Sequence, residues 1–228
     1  MTVKLIVDNN NELREVQEED RLHPVVKGAA TLFSYIFHPV FVPVYVMIFL
    51  LFIHPFLFVG FDDRNRVLIL IQSVLMFTFF PLVSVALLKA LKFISSIKLR
   101  DRKDRIIPFI ICNIWYFWIW YVWRNLPQMP REAVAFAMSI FLASSIGLLF
   151  NIYLKISMHS IAIGVSAAFL TALSFQYDVG FGFYLSLTFL IGGAVCTSRL
   201  LLKEHLPSEI YWGLATGLLA VLAANIIT

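Results

Sequence analysis

The chain consists largely of long apolar segments separated by short polar ones. Hydrophobic residues make up 60% of its 228 residues, and the mean hydropathy is +0.84, far above the values of soluble domains. Several segments approach the roughly 20 residues that cross a bilayer as a helix, and none shows the two-residue alternation of a membrane β-barrel. We therefore expect an all-α, polytopic integral membrane helix bundle with about six to seven transmembrane helices.

The apolar segments predict seven spans in a single transmembrane domain. They cover residues 33–59, 67–91, 107–123, 133–154, 160–177, 181–201 and 208–227. Residues 1–27 form a polar arm that precedes this domain of residues 28–228. Within the arm, residues 3–19 alternate weakly between apolar and polar types. This pattern is equally consistent with a small hairpin and with a disordered or surface-lying arm.

The distribution of Lys and Arg predicts the orientation in the membrane. With seven spans, the N-terminus and the junctions after the second, fourth and sixth spans share one side. That side carries fourteen basic residues, which are Lys4, Arg14, Arg21, Lys27, Lys89, Lys92, Lys98, Arg100, Arg102, Lys103, Arg105, Lys155, Arg199 and Lys203. The opposite side carries four, which are Arg64, Arg66, Arg124 and Arg131. Because cytoplasmic loops carry an excess of Lys and Arg, we expect the first side to face the cytoplasm from the cell's inner membrane.

Three polar patches interrupt the apolar pattern, and all three fall on this predicted cytoplasmic side. They are residues 98–108, 155–160 and 198–209. Each patch alone has an ordinary explanation: a positively charged loop, an interfacial histidine, and a helix–turn–helix linker with Pro207 at the first helical position. Arg or Lys costs about 2.5–3.5 kcal/mol at the centre of a membrane helix. The convergence of charged and titratable groups on one side of the membrane therefore favours a functional site.

The third patch resembles the last motif of the type 2 phosphatidic acid phosphatase superfamily, whose members are membrane-bound lipid phosphate phosphatases. That motif is Ser-Arg, five residues, His, three residues and Asp. Ser198, Arg199 and His205 match it, and Glu209 replaces the aspartate. This match is the most specific part of the resemblance, which covers residues 98–227.

The other two patches resemble the first two motifs of the same superfamily. The first motif is Lys, six residues, Arg and Pro; Lys98 and Arg105 have this spacing, and the proline is displaced to Pro108. The second motif is Pro-Ser-Gly-His, of which Ser157 and His159 remain. Its proline and glycine are replaced by Ile156 and Met158. A side chain at the glycine position predicts a differently shaped or degraded pocket, since glycine allows close backbone approach to phosphate.

The residue types in the patches suit phosphoryl transfer. Lys98, Arg105 and Arg199 can surround the phosphoryl oxygens with positive charge. Neutral His205 can attack phosphorus, and Glu209, in the first turn of the last helix, can reach back to orient its ring. The site residues that we expect to be catalytic are His205, His159 and Glu209. Those that we expect to bind phosphate are Lys98, Arg105, Ser157, Arg199 and Ser198.

The resemblance implies two further features of the reaction. It makes His159 the general acid for the lipid alkoxide, and it implies that no metal or other cofactor takes part. The absence of a carboxylate cluster beside the histidines agrees with the second implication. We therefore expect a membrane lipid phosphatase that hydrolyses a phosphate monoester or diphosphate through a phosphohistidine intermediate. Its partners would be a lipid phosphate substrate and membrane lipids, with no nucleic acid.

Two alternatives come from other functional classes. A transporter or scaffold for anionic lipids could use the same basic pocket without turnover. An intramembrane prenyltransferase would need paired aspartates that hold magnesium, and the nearest pair is Asp101 and Asp104. Because five basic residues lie around these two aspartates, they form a poor metal site.

Other unusual residues have structural interpretations. The aromatic residues between Trp115 and Trp123 could line a groove for lipid chains, but packing and an interfacial belt near Arg124 are favoured. The pairs His38-Pro39 and His54-Pro55 lie towards opposite ends of the first predicted span. We interpret both pairs as kink or interface features outside the site.

Overall fold

The computed structural model describes residues 3–7, 13–17, 22–96, 99, 101–177 and 180–228, and for the first two ranges only the backbone. The described part is an all-α bundle preceded by a short hairpin. Six helical stretches are long and apolar enough to cross a membrane: Asp63–Ala90, Arg102–Arg124, Arg131–Tyr153, Met158–Gln176, Gly182–Leu201 and Pro207–Ile227. Large apolar side chains such as Phe175, Leu190 and Ile226 cover the outside. The prediction of a polytopic helical membrane protein is confirmed.

The helices agree closely with the predicted spans from the second onwards. In chain order they are α1 Pro24–Ile36, α2 Val42–Ile48, α3 Asp63–Val74, α4 Phe80–Ala90, α5 Arg102–Arg124, α6 Arg131–Tyr153, α7 Met158–Gln176, α8 Gly182–Leu201 and α9 Pro207–Ile227. Two π-helical turns, Phe49–Ile53 and Leu75–Phe79, extend α2 and join α3 to α4. The predicted ends of the second to seventh spans lie within about five residues of the observed helix ends.

The polar arm contains a two-stranded antiparallel sheet. Strand β1, Val3–Val7, pairs with strand β2, Leu13–Gln17, so that Val3 lies opposite Gln17. Of the two structures that the weak alternation allowed, the backbone adopts the hairpin. The predicted boundary at residue 27 falls inside α1.

The first predicted span, residues 33–59, is wrong as a single helix. Helix α1 stops before the first His-Pro pair, and α2 with its π turn covers only Val42–Ile53 before the second pair. Proline has no amide hydrogen and disfavours the helical conformation in the residue before it. The two pairs therefore divide an apolar segment that hydropathy alone treats as continuous.

The segment between the two His-Pro pairs nevertheless crosses the bundle. The ring centroid of His38 lies 5.4 Å from that of His159, in the first turn of α7. The ring centroid of His54 lies 4.8 Å from that of Tyr177, directly after the last turn of α7. The two pairs thus lie at opposite ends of α7. The end of α1 consequently lies at the same end of the bundle as His159.

Helices α7 and α9 approach each other closely because glycines line their interface. A Cβ atom at Gly164 of α7 would lie 2.7 Å from the carbonyl oxygen of Leu214. A Cβ atom at Gly213 of α9 would lie 2.7 Å from the Ser160 side chain, and one at Gly217 would collide with the backbone of α7. Gly213 and Gly217 are four residues apart and share one face of α9, a spacing typical of closely packed membrane helices.

The aromatic side chains of α5 take part in packing. Trp123 is fully buried, and its Nε1 donates a hydrogen bond to Gln72 Oε1 at 3.1 Å. At the end of α5 the Arg124 guanidinium lies 5.0 Å from the centroid of the Trp120 ring, a cation–π contact. These contacts support the packing and interfacial interpretation rather than a groove for lipid chains.

Candidate active site

The three polar patches meet at one end of the bundle. Helices α5, α7 and α9 begin there and α8 ends there, because the long helices alternate in direction. The Arg105 guanidinium of α5 donates to the carbonyl oxygen of Ile156, directly before α7, at 2.9 Å. The backbone nitrogen of Ser157 donates to the carbonyl oxygen of Glu209 in α9 at 3.3 Å. Direct hydrogen bonds therefore connect all three patches.

His205 and Glu209 form the contact that their spacing predicts. Pro207 is the first residue of α9, which places Glu209 in its first turn. One carboxylate oxygen, Oε2, lies 2.8 Å from His205 Nδ1 and also accepts from the backbone nitrogen of Leu206 at 3.1 Å. Because a carboxylate accepts hydrogen bonds, Nδ1 of His205 carries the hydrogen. The lone pair of the neutral ring is then on Nε2, the atom available for attack.

The surroundings of His205 favour its neutral form. The residue is buried, with 8% of its surface exposed. Burial lowers the pKa of His205, and the positive charges of Arg105 and Arg199 lower it as well, whereas the contact with Glu209 raises it in part. The net effect is a pKa below the ordinary histidine value. An unprotonated ring is the form that can act as a nucleophile.

Arg199, in the last turn of α8, has a buried donor without an acceptor. Its Nε is inaccessible to solvent and makes no hydrogen bond to any residue that the structure describes. Its Nη2 lies 3.8 Å from Glu204 Oε2 in the loop before His205. A buried donor left unpaired costs about 1–3 kcal/mol, and more when it is charged. An anion bound beside Arg199 would remove this cost.

Arg105 connects parts of the site through the backbone. It is 5% exposed, and its Nε donates to the carbonyl oxygen of Leu99 at 2.7 Å, while Nη1 donates to Ile156. Two of the donors that we expected to bind phosphate therefore hold the loop before α5 against the start of α7. The guanidinium still contributes positive charge beside His205.

The hydroxyl groups of the two predicted serine ligands bond to nearby backbone. Ser157 is the N-cap of α7, and its Oγ accepts from the backbone nitrogen of Ser160 at 3.3 Å. Ser198 Oγ donates to the carbonyl oxygen of Ala194 at 2.7 Å within α8. Both residues are buried next to functional neighbours, but these contacts are local. Lys98, the remaining predicted phosphate ligand, lies outside the described residues.

His159, in the first turn of α7, is held by the end of α1. Its Nε2 lies 3.1 Å from the carbonyl oxygen of Ser34, and only 8% of the residue is exposed. A carbonyl oxygen can only accept, so Nε2 carries a hydrogen. The other ring nitrogen, Nδ1, is then the atom available to exchange a proton with a substrate. The contribution of Ser34 is a backbone contact that the sequence patterns do not indicate.

His38 lies against the site, contrary to the interpretation of His38-Pro39 as a feature outside it. Its ring packs edge-on against that of His159, with an interplanar angle of 81°. The sequence contained one indication, since Pro39 breaks the first span on the side where the polar patches converge. His54, at the other end of α7, is remote from these groups, as expected.

Met158, which stands where the second motif has glycine, packs into a small apolar cluster. Its side chain is partly buried and packs against Leu88, Ile94 and Leu99. These residues form a small apolar cluster near the start of α5. The methionine thus points into apolar packing.

Two open grooves reach Glu209, and one of them is also lined by His205. The first has a volume of about 510 Å³ and is lined by Lys155, Leu200, Lys203, Glu204, His205, Leu206, Pro207 and Glu209. The second has a volume of about 550 Å³ and is lined by Asp101, Arg102, Tyr153, Leu154, Lys155 and Glu209. Lys155 and Glu209 line both grooves. The first groove therefore gives access to His205 and Glu209 at the end of the bundle where the three patches meet.

Asp104, one of the two aspartates near the start of α5, is engaged in other contacts. Asp104 accepts hydrogen bonds from the backbone nitrogen and the hydroxyl group of Ser95, and Asp101 is the N-cap residue of α5. Within the described ranges, no three His, Cys, Asp or Glu side chains are grouped so that they could hold a metal ion. Neither aspartate therefore belongs to a magnesium site built from three such side chains.

No protein-family model, curated protein or solved structure matches this chain. The functional assignment consequently depends on the residues that meet at this end of the bundle and on the motif resemblance described above.

Proposed function

We propose that this protein is a membrane lipid phosphatase that hydrolyses a phosphate monoester or diphosphate of a lipid through a phosphohistidine at His205. The observation that carries the proposal is the pairing of His205 with Glu209 beside Arg199, whose buried Nε lacks an acceptor among the described residues. This arrangement supplies a neutral nucleophile, a carboxylate that orients it, and a charged group for the phosphoryl oxygens.

In the first step, His205 Nε2 attacks phosphorus and the bond from phosphorus to the leaving oxygen breaks. His159 enters this step as an imidazolium, with the Nε2 hydrogen bonded to Ser34, and it donates its second proton from Nδ1 to that oxygen. Glu209 stabilises the positive charge that forms on the attacking ring. The products of this step are the lipid alcohol, or lipid monophosphate from a diphosphate, and the phosphohistidine.

In the second step, water attacks the phosphohistidine and gives a proton to His159 Nδ1. The nitrogen–phosphorus bond breaks, inorganic phosphate leaves and His205 is neutral again. His159 regains the proton that it gave up, so the cycle is balanced without another reactant. Arg199 and Arg105 neutralise the phosphoryl oxygens in both steps.

The proposal is tested by phosphate release from purified protein in detergent with EDTA present. The substrates are phosphatidate, phosphatidylglycerol phosphate, a sphingoid phosphate and a polyprenyl diphosphate. We expect release from at least one of them at a rate that EDTA does not change. Binding of these lipids without release would favour the anionic-lipid binding protein or transporter. Magnesium-dependent transfer of a prenyl group would instead favour the prenyltransferase.

The lowered pKa of His205 predicts the acid side of the pH profile. His205 acts in its unprotonated form, so activity is lost as pH falls through its pKa in the folded protein. Because burial lowers this pKa, we expect the acid-side midpoint of kcat/KM below pH 6.5, roughly the ordinary histidine value. In Glu209→Gln the midpoint should move lower still, because the carboxylate contact raises the pKa. A wild-type midpoint above 6.5 would contradict the neutral His205.

We place the active site on the cytoplasmic side of the membrane, on the basis of the fourteen-to-four distribution of basic residues. The test is labelling of intact cells with an impermeant thiol reagent, in a variant that lacks Cys112 and Cys196. A cysteine at exposed Lys103 should resist the reagent, whereas a cysteine at exposed Arg64 should react. The opposite pattern would reverse the orientation.

A further inference from the structure

We propose that His38 is a third histidine of the phosphate pocket and donates a hydrogen bond from Nε2 to the phosphoryl group of the substrate. This inference rests on the proposed function and identifies an additional residue that binds its substrate. It assigns a role to the His-Pro break between α1 and α2, which lies outside all three polar patches.

The local backbone fixes the hydrogen on the His38 ring. After α1 ends, the backbone nitrogen of Val40 points at His38 Nδ1 from 3.4 Å, so Nδ1 is the acceptor. In a neutral imidazole the other nitrogen, Nε2, then carries the hydrogen. Burial, together with the positive charge of Arg199, lowers the pKa of His38 to about 4. At neutral pH His38 is therefore an uncharged donor with one available hydrogen.

The position of the ring is held from several directions. The hydroxyl group of Thr78 donates to the carbonyl oxygen of Val40 at 2.7 Å, which ties the break to the π turn between α3 and α4. The backbone nitrogen of Phe41 donates to the carbonyl oxygen of His38 at 2.8 Å. The imidazole ring packs edge-on against His159. A ring held in this way is preorganised for a ligand.

Two donors near His159 lack an acceptor among the described residues. One is Nε of Arg199, which is buried. The other is Nε2 of His38, which is half-buried, makes no hydrogen bond to the described residues and lies within electrostatic range of Arg199. The two residues belong to the end of α8 and to the break after α1. A ligand that accepts hydrogen bonds from both through several oxygens is what a phosphoryl group offers.

The test compares two substitutions that separate the effect of the hydrogen bond from the effect of ring packing. His38→Phe keeps an aromatic ring against His159 but has no donor, whereas His38→Gln can place an amide nitrogen near the position of Nε2. We expect His38→Phe to raise KM for the lipid phosphate, and the inhibition constant of orthovanadate, by about tenfold or more, with kcat changed much less. We expect His38→Gln to remain within about threefold of wild type on both measures.

Either of two results would overturn the role of His38. One is a His38→Phe variant with wild-type KM and orthovanadate inhibition. The other is a His38→Gln variant as impaired as His38→Phe, because this would assign the effect to ring packing. His23→Phe, at an exposed histidine at the start of α1, is the matched control and should behave as wild type. If His38→Phe does not fold, His38→Asn replaces it, because its shorter amide ends before the position of Nε2 and should also weaken binding.

Inorganic phosphate binding separates this inference from the proposed function. Calorimetry on the detergent-purified protein measures the affinity for inorganic phosphate without any turnover. Wild-type protein that binds phosphate but hydrolyses no lipid phosphate would contradict the proposed function, and the ratio of wild-type to His38→Phe affinity would still test His38. A ratio of about ten or more supports His38 as a phosphate ligand. A ratio near one, or no binding by the wild type, overturns it.

Discussion

Replacing His205 with alanine is expected to lower kcat for lipid phosphate hydrolysis by at least about 10³-fold, since loss of a nucleophile removes the covalent route. The ring of His205 is the only protein group of the proposed mechanism that forms a bond to phosphorus. Its side chain contacts Glu209 at the surface end of α9, so the helix packing should be retained. The measurement is phosphate release at saturating substrate, together with the thermal unfolding midpoint.

Glu209→Gln is the companion variant. It keeps the size of the side chain but removes the charge that stabilises the imidazolium, so kcat should fall by about 10²-fold or more. The control for His205→Ala is His23→Ala, at an exposed position, and the control for Glu209→Gln is Glu132→Gln. Glu132 accepts from the Tyr177 hydroxyl at 2.6 Å at the other end of the bundle. Both controls should retain wild-type rates, and unchanged release by His205→Ala would exclude the phosphohistidine mechanism.

Replacing Gly217 with valine is expected to move His159, on α7, away from His205 and Glu209 at the start of α9. A Cβ atom at this position would lie 2.6 Å from the backbone carbon of Gly164 and 2.7 Å from the backbone oxygen of Ile161. Because backbone atoms cannot move aside as flexible side chains can, α7 and α9 must shift apart. Overpacking typically costs about 1–3 kcal/mol, and we expect the upper part of this range or more. Activity should fall by at least about 10²-fold, because small displacements of catalytic groups have large effects.

The matched control for Gly217→Val is Gly193→Val. Gly193 lies on α8, and a Cβ atom there would have no other atom within 4 Å. The control variant should keep both its thermal unfolding midpoint and its activity. If Gly217→Val had wild-type stability and activity, the close approach of α7 to α9 would not position the site. Both measurements are made on detergent-purified protein.

The sequence predicted the long helices well because bilayer thickness fixes their length and apolarity. The failure at residues 33–59 has a physical cause. A hydropathy value is averaged over a window of residues, and the residues around Pro39 and Pro55 are apolar. The average therefore does not show that these two prolines interrupt the hydrogen bonding of a helix. The hairpin could not be decided from its weak alternation, because pairing of two short strands depends on context.

In the candidate site, contacts between residues that are close in the sequence were predictable, and contacts between residues far apart in the sequence were not. The contact of His205 with Glu209 follows from four-residue spacing at the start of a helix, so its geometry could be derived from the sequence. The contact of His159 with Ser34 joins positions 125 residues apart through a backbone atom, which leaves no side-chain pattern to recognise. His38 was assigned outside the site because its ring contact with His159 joins two positions that are far apart in the sequence. The preference of Ser157 and Ser198 for nearby backbone also depends on helix geometry that the motif alone does not give.

The proposed mechanism requires a covalent bond between phosphorus and His205, and this bond can be trapped. Wild-type protein is mixed with a ³²P-labelled lipid phosphate in EDTA, quenched in alkali within milliseconds to seconds, and mapped by peptide digestion. We expect a transient label on the peptide that contains His205, stable in alkali, lost in acid and absent from His205→Ala. Phosphate release with no labelled protein at any quench time, or a label on another residue, would contradict the proposed mechanism.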